Sequence, residues 1–74
     1  MALQVKVAEL VGESTNSWKD AVRSVVKEAV KAGNEVTGVE VLNFTANVHD
    51  GDVVEYKANV KIAYADHGDD KRRR

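Results

Sequence analysis

"VTGVEVLNFTANVHDGDVVEYKANVKIAYA", Val36 to Ala65, holds two runs of alternating apolar and polar residues joined at His49-Asp50-Gly51-Asp52. Alternation with a period of two marks strands that bury one face. It predicts strands over about Val36–Val48 and Val53–Ala65. Leu42, Phe44, Ala46 and Val48 share a face of the first, and Val54, Tyr56, Ala58, Val60, Ile62 and Tyr64 share a face of the second. A two-residue turn at Asp50-Gly51 would set Val48 against Val53 and Ala46 against Glu55, which mixes the faces. One more loop residue sets Val48 against Val54, Ala46 against Tyr56, Phe44 against Ala58 and Leu42 against Val60. The opposite face then pairs Asn47 with Glu55, Thr45 with Lys57 and Asn43 with Asn59. A slip of one residue turns every side chain to the wrong side, so this second register is expected. Gly51 would be the left-handed residue of a three-residue loop.

Upstream, "NSWKDAVRSVVKEAV" (Asn16 to Val30) has helical spacing. Trp18, Ala21, Val22, Val25, Ala29 and Val30 recur at the intervals of one helix face. Lys19, Arg23, Lys27, Glu28 and Lys31 occupy the other. Ser17 is placed to cap the helix, and Asp20 three residues later resembles a capping box with a shorter acid. Gly33, with Asn34 beside it, is placed to end the helix in a left-handed conformation. Trp18 is expected to seal the core. Before the helix, the odd positions Leu3, Val5, Val7 and Val11 predict a strand with that face buried, against which Glu9 has the wrong parity. Gly12 to Asn16 is expected to be a polar turn.

The order is therefore β-α-β-β: an α+β fold with a three-stranded antiparallel sheet and one helix laid across one face. Residues 1–65 are expected to form a single domain, and residues 66–74 a disordered charged tail without apolar periodicity. The 74 residues contain no Cys. Disulfides, thiolate metal sites and cysteine catalysis are thereby excluded. A chain this short has a small core, which makes self-association the expected means of support. There is no apolar run near the ~20 residues of a membrane span and no signal-peptide pattern. Both point to a cytoplasmic protein. Net charge is −1, and without residues 66–74 seven Lys and Arg stand against nine Asp and Glu. A mildly acidic body carries no basic face for phosphate backbones, so neither nucleic acid nor membrane is an expected partner. No nucleophile, base and orienting acid stand at recognisable spacings, so the chain is not expected to be an enzyme. Asp50 and Asp52 are read as hairpin-turn residues rather than metal ligands, and no metal site is expected.

"VAELVGESTNSWKDAVRSVVKEAV", then "VTGVEV", then "DGDVVEYKANVKIAY", resembles the dodecin family in order and spacing over about Val5 to Tyr64. The resemblance implies β-α-β-β subunits assembled as a hollow homododecamer, helices outward and sheets inward. It also implies a flavoprotein-like role: binding, storage or sequestration of a flavin (FMN or riboflavin) without catalysis. In flavin-binding relatives a Trp in a W-x-E-V setting stacks on the ring, as an aromatic face favours, and a Gln follows the aromatic of the third strand. Here the first slot reads Gly38-Val39-Glu40-Val41, and Tyr56 is followed by Lys57. The known flavin grip is therefore not expected. If a small ligand binds, Gly38, Lys57 and Asn59 are the positions to watch; Lys57 is equally an ion-pair partner for Glu55 or for Glu40 of a neighbour. The alternative function is a structural shell that holds ions but no tight organic ligand.

Overall fold

The computed structural model describes residues 4–66. Four elements follow one another: β1 (Gln4–Ser14), α1 (Trp18–Lys31), β2 (Glu35–His49) and β3 (Asp52–Asp66). The strands form one antiparallel sheet in the order β1-β3-β2, and the helix lies across one face. The expected β-α-β-β architecture is the observed one. Residues 67–74, the rest of the expected tail, lie outside the described residues. Asp66 belongs instead to the end of β3, where its carboxylate meets Lys6 Nζ at 3.0 Å.

The helix begins and ends as the sequence reading proposes, with one change. Ser17 is extended and its Oγ accepts from the Asp20 N–H at 3.0 Å. The Asp20 carboxylate does not complete the capping box, because it accepts from the Ser14 hydroxyl at 2.8 Å. Ser14 Oγ accepts in turn from the N–H groups of Asn16 and Ser17. One buried hydroxyl thus satisfies the chain between β1 and α1. At the far end Gly33 is left-handed (φ 97°). Its N–H reaches the Val30 carbonyl, and that of Asn34 reaches Ala29. This pair of bonds is a Schellman ending, which absorbs carbonyls the helix would leave open.

The hairpin register holds in its middle and departs at both ends. Ala46 opposes Tyr56, Phe44 opposes Ala58, and Asn47, Thr45 and Asn43 oppose Glu55, Lys57 and Asn59 as expected. The turn, however, has two residues: Asp50 (φ 52°) and Gly51 (φ 80°) are both left-handed, and Val48 opposes Val53. Positive φ at both central residues suits the right-handed twist of a hairpin. A bulge at Val54 then restores the register. A second bulge, at Leu42, brings Val41 rather than Leu42 opposite Val60, and a third falls at Thr37.

The largest correction concerns β1. The strand runs on through Gly12, Glu13 and Ser14 in place of the expected turn, and its even positions face the helix side, with Gly12 and Ser14 buried there. Gly12 is the reason. A Cβ there would sit on the Ala21 carbonyl oxygen and 2.5 Å from Val25 Cγ2, so only glycine lets helix and strand approach this closely. The core consists of Ala21, Val25, Ala29, Ala58, Val60 and Ile62. Val5 and Val7 lie on the far face and are 64% and 58% exposed. Glu9 therefore has the parity of its own face: it stands directly opposite Lys61. Val30, expected on the buried stripe, is exposed. Trp18 is 39% exposed and stands at the edge of the core instead of inside it.

Candidate functional site

The helix-free face of the sheet gathers the candidate residues. Strand partners directly opposite each other share a face, so the register writes this surface as rows across β1, β3 and β2. The rows read Val7–Ala63–Gly38, Glu9–Lys61–Glu40, Val11–Asn59–Asn43 and Glu13–Lys57–Thr45, followed by Glu55–Asn47. Apolar and small residues hold one end, and charges and amides the rest. Asn59 Nδ2 donates to Asn43 Oδ1 at 2.6 Å, and Asn47 Nδ2 to Glu55 Oε1 at 2.8 Å. Such cross-strand amide contacts fix the polar side chains of the face.

Lys57 pairs with Glu13, Nζ to Oε2 3.7 Å, within the chain. Within the chain it meets Glu13 rather than Glu55. The partner was hidden because Glu13 read as part of a turn. At the same end of the sheet but on its helix side, Lys6 is held above its ordinary pKa, first by its hydrogen bond to Asp66 and then by that carboxylate's charge.

Among the described residues, hollows open on this face. One, of about 490 Å3, is lined by Glu9, Val11, Leu42, Asn43 and Asn59 among others. Another, of about 220 Å3, is lined by Val7, Gly38, Val39, Glu40, Lys61 and Ala63. Lys57 and Asn59 are neighbours on one face of β3. Gly38 stands opposite Ala63, six residues along β3 from Lys57, which at ~3.3 Å per residue is about 20 Å away. One subunit therefore brings two of the three candidate residues together and keeps the third apart. At Gly38 an added Cβ would meet no atom within 4 Å. There is room for a ligand and no aromatic surface at that position to stack on it, so a flavin held by ring stacking does not fit this slot.

Trp18, the remaining aromatic of interest, lies on the helix side. Its Nε1 donates to the Thr45 carbonyl at 2.8 Å, and its ring meets Tyr56 edge-on at 4.9 Å and Phe44 at 5.9 Å. It fastens the helix start to the hairpin. Asp50 and Asp52 flank Gly51 at the hairpin turn, and Asp50 approaches the His49 imidazole at 3.5 Å. Among the described residues no group of three or more His, Asp or Glu is placed to hold a metal ion, and no helix is long and apolar enough to cross a membrane.

The dodecin family model matches residues 5–66. The structure is similar to that of dodecin from Streptomyces coelicolor, with 25% identity and a TM-score of 0.84 over 88% of this chain and 93% of that one. A Thermus thermophilus protein shares the fold at 21% identity, with a TM-score of 0.83 over 89% of this chain and 97% of that one. So does a Mycobacterium tuberculosis protein described as a calcium-chelating calcium dodecin, at 21% identity and a TM-score of 0.72 over 81% and 86% of the two chains. No curated protein matches the chain in sequence.

Proposed function

The chain belongs to the dodecin family, and from that premise we propose that it is a non-enzymatic small-ligand binding protein that stores or sequesters its ligand inside a hollow homododecamer in the cytoplasm. The observation that carries this reading is the unfinished surface of the subunit. Among the described residues its buried core holds six apolar residues, while large apolar side chains such as Val5, Val7, Val11 and Phe44 stand exposed. Exposed apolar area on this scale in a small chain marks an association surface. Val5, Val7 and Val11 share the face that carries the two hollows, so burying them between copies would enclose those hollows as well.

The ligand class follows from the family and from the face. A flavin-type molecule, FMN or riboflavin, is the proposed ligand, held by contacts other than a stacked Trp because Gly38 and Lys57 stand where the usual Trp and Gln would be. Lys57 and Asn59 supply a cation and amide groups side by side on β3, and Gly38 supplies space. A second reading, a shell holding ions without a tight organic ligand, draws support from the acid excess of the same face: Glu9, Glu13, Glu40 and Glu55 stand with Lys57 and Lys61. The Mycobacterium relative described as a calcium dodecin lends that reading further weight.

Native mass spectrometry with and without added riboflavin and FMN tests both. Twelve subunits with flavin adducts support the first reading. Twelve subunits without them shift the proposal to the ion-holding shell, and a folded monomer at micromolar concentration overturns the assembly itself.

A further inference from the structure

The overall charge of the chain conceals how its charges are sorted. The acid excess lies on the helix-free face of the sheet, whereas α1 carries Lys19, Arg23, Lys27 and Lys31 at intervals of four, all exposed. At 100° per residue each cation from Arg23 onward lies two residues, or about 200°, beyond a buried residue: Arg23 after Ala21, Lys27 after Val25, Lys31 after Ala29. The row thus points directly away from the core. The expectation that the fold has no basic face does not hold for this helix.

The row carries four cations against the helix's two acids, Asp20 and Glu28. Among the described residues none of the four cations forms an ion pair within 4.0 Å. Of the helix's two acids, Asp20 is engaged by Ser14. Glu28 borders the groove between α1 and β1 beside Leu10. Like charges four apart on a helix repel one another, so three successive such steps weaken the helix. A row kept at that cost points to an anionic partner.

We propose that the outward face of α1 docks the phosphodiester backbone of a nucleic acid without reading its sequence. Cations four residues apart are spaced by about 6 Å along the helix. A duplex carries one negative charge per ~1.7 Å of its axis over both strands, so a row with this spacing finds phosphates within reach along its length. The only aromatic on the helix, Trp18, is turned to Thr45, Phe44 and Tyr56, leaving no stacking platform beside the row. A lipid surface fits less well. Helices that lie in a membrane interface insert an apolar face, and here that face, Ala21, Val25 and Ala29, is buried against the sheet.

The test is binding of the full chain to a random-sequence DNA duplex across a salt series, beside phosphatidylserine vesicles. The expected result is duplex binding whose logarithm falls against log salt with a slope of roughly −3 to −4 for each row engaged. Arg23→Glu with Lys27→Glu, both exposed and therefore compatible with folding, should weaken it at least about tenfold with an unchanged circular dichroism spectrum. The set Lys71→Gln, Arg72→Gln, Arg73→Gln and Arg74→Gln should leave most of it. Four outcomes overturn the proposal: no duplex binding at 50 mM salt, binding unaffected by the helix substitutions, binding abolished by the tail substitutions alone, or vesicle binding without duplex binding.

Discussion

Trp18 Nε1 donates to the carbonyl oxygen of Thr45 at 2.8 Å, tying the first residue of α1 to the middle of β2 across 27 positions of sequence. The indole works as a clasp between elements, with its ring edge against Tyr56. Trp18→Phe keeps an aromatic there and removes the bond, which should cost about 0.5–1.5 kcal/mol. Trp18→Ala should cost about 2–3 kcal/mol, less than the ~3–5 of a fully buried aromatic, because the side chain is partly exposed. Urea unfolding at fixed protein concentration measures both, and a loss above about 4 kcal/mol for Trp18→Ala would mean that association buries the indole.

Ser14 is the second clasp. Its hydroxyl donates to Asp20 and accepts from two backbone N–H groups. Ser14→Ala leaves those donors without it in a buried place, at about 1–3 kcal/mol, against about 1 kcal/mol for the half-buried cap Ser17→Ala. A double-mutant cycle with Asp20→Ala should show coupling of at least about 0.5 kcal/mol, since the two groups touch. Additive losses would show that the Ser14–Asp20 bond contributes nothing.

Those clasps also mark where the sequence was legible. Period-two alternation in β3 and the helical spacing of Ala21, Val25 and Ala29 are set by local geometry, and both elements formed where expected. Ser17, Gly33 and Asn34 act through neighbours within five residues and were legible for the same reason. Three things were not. The parity of β1 misled, because its valines serve the far face while Gly12 and Ser14, which look like turn residues, meet the helix. Leu42 and Val54 carry bulges, and a bulge leaves no mark in a pattern of apolar residues. Lys57 was correctly placed on the polar face, yet its partner Glu13 comes from a strand whose length was misjudged. For β1 and for Lys57, a contact between elements overrode a local preference.

Gly12 tests that explanation. Gly12→Ala puts a methyl group into the Ala21 carbonyl and Val25, and moving the helix off the strand should cost about 1–3 kcal/mol or more. Gly38→Ala meets nothing within 4 Å and should change stability by no more than about 0.5 kcal/mol. Equal losses at the two glycines would contradict the close packing of α1 on β1.

The Lys6–Asp66 pair gives a pH signature. Lys6 is raised above its ordinary 10.5, chiefly by its hydrogen bond to Asp66. A raised folded-state value means that the pair stabilises the fold fully below pH 10.5, and that the benefit is lost as pH rises through the higher folded value. A titration of Lys6 followed by NMR should have its midpoint above 10.5, and Asp66→Asn should return it toward 10.5. An unchanged midpoint in Asp66→Asn would assign the shift to another group.

Gly38 offers the sharpest test of the flavin reading. The position is open, lies on the helix-free face opposite Ala63, and has no left-handed backbone that a side chain would strain. Gly38→Trp would restore a stacking surface where flavin-binding relatives have one, and ring stacking contributes about 0.5–1.5 kcal/mol beyond the area it buries. Affinity for riboflavin and FMN, followed by quenching of flavin fluorescence, should therefore rise about tenfold or more. If the natural chain already binds flavin and Gly38→Trp abolishes it, the open space at Gly38 is itself the pocket. If neither chain binds flavin, the ligand is of another class, and the acid-rich rows around Lys57 and Lys61 become the place to look for a cation.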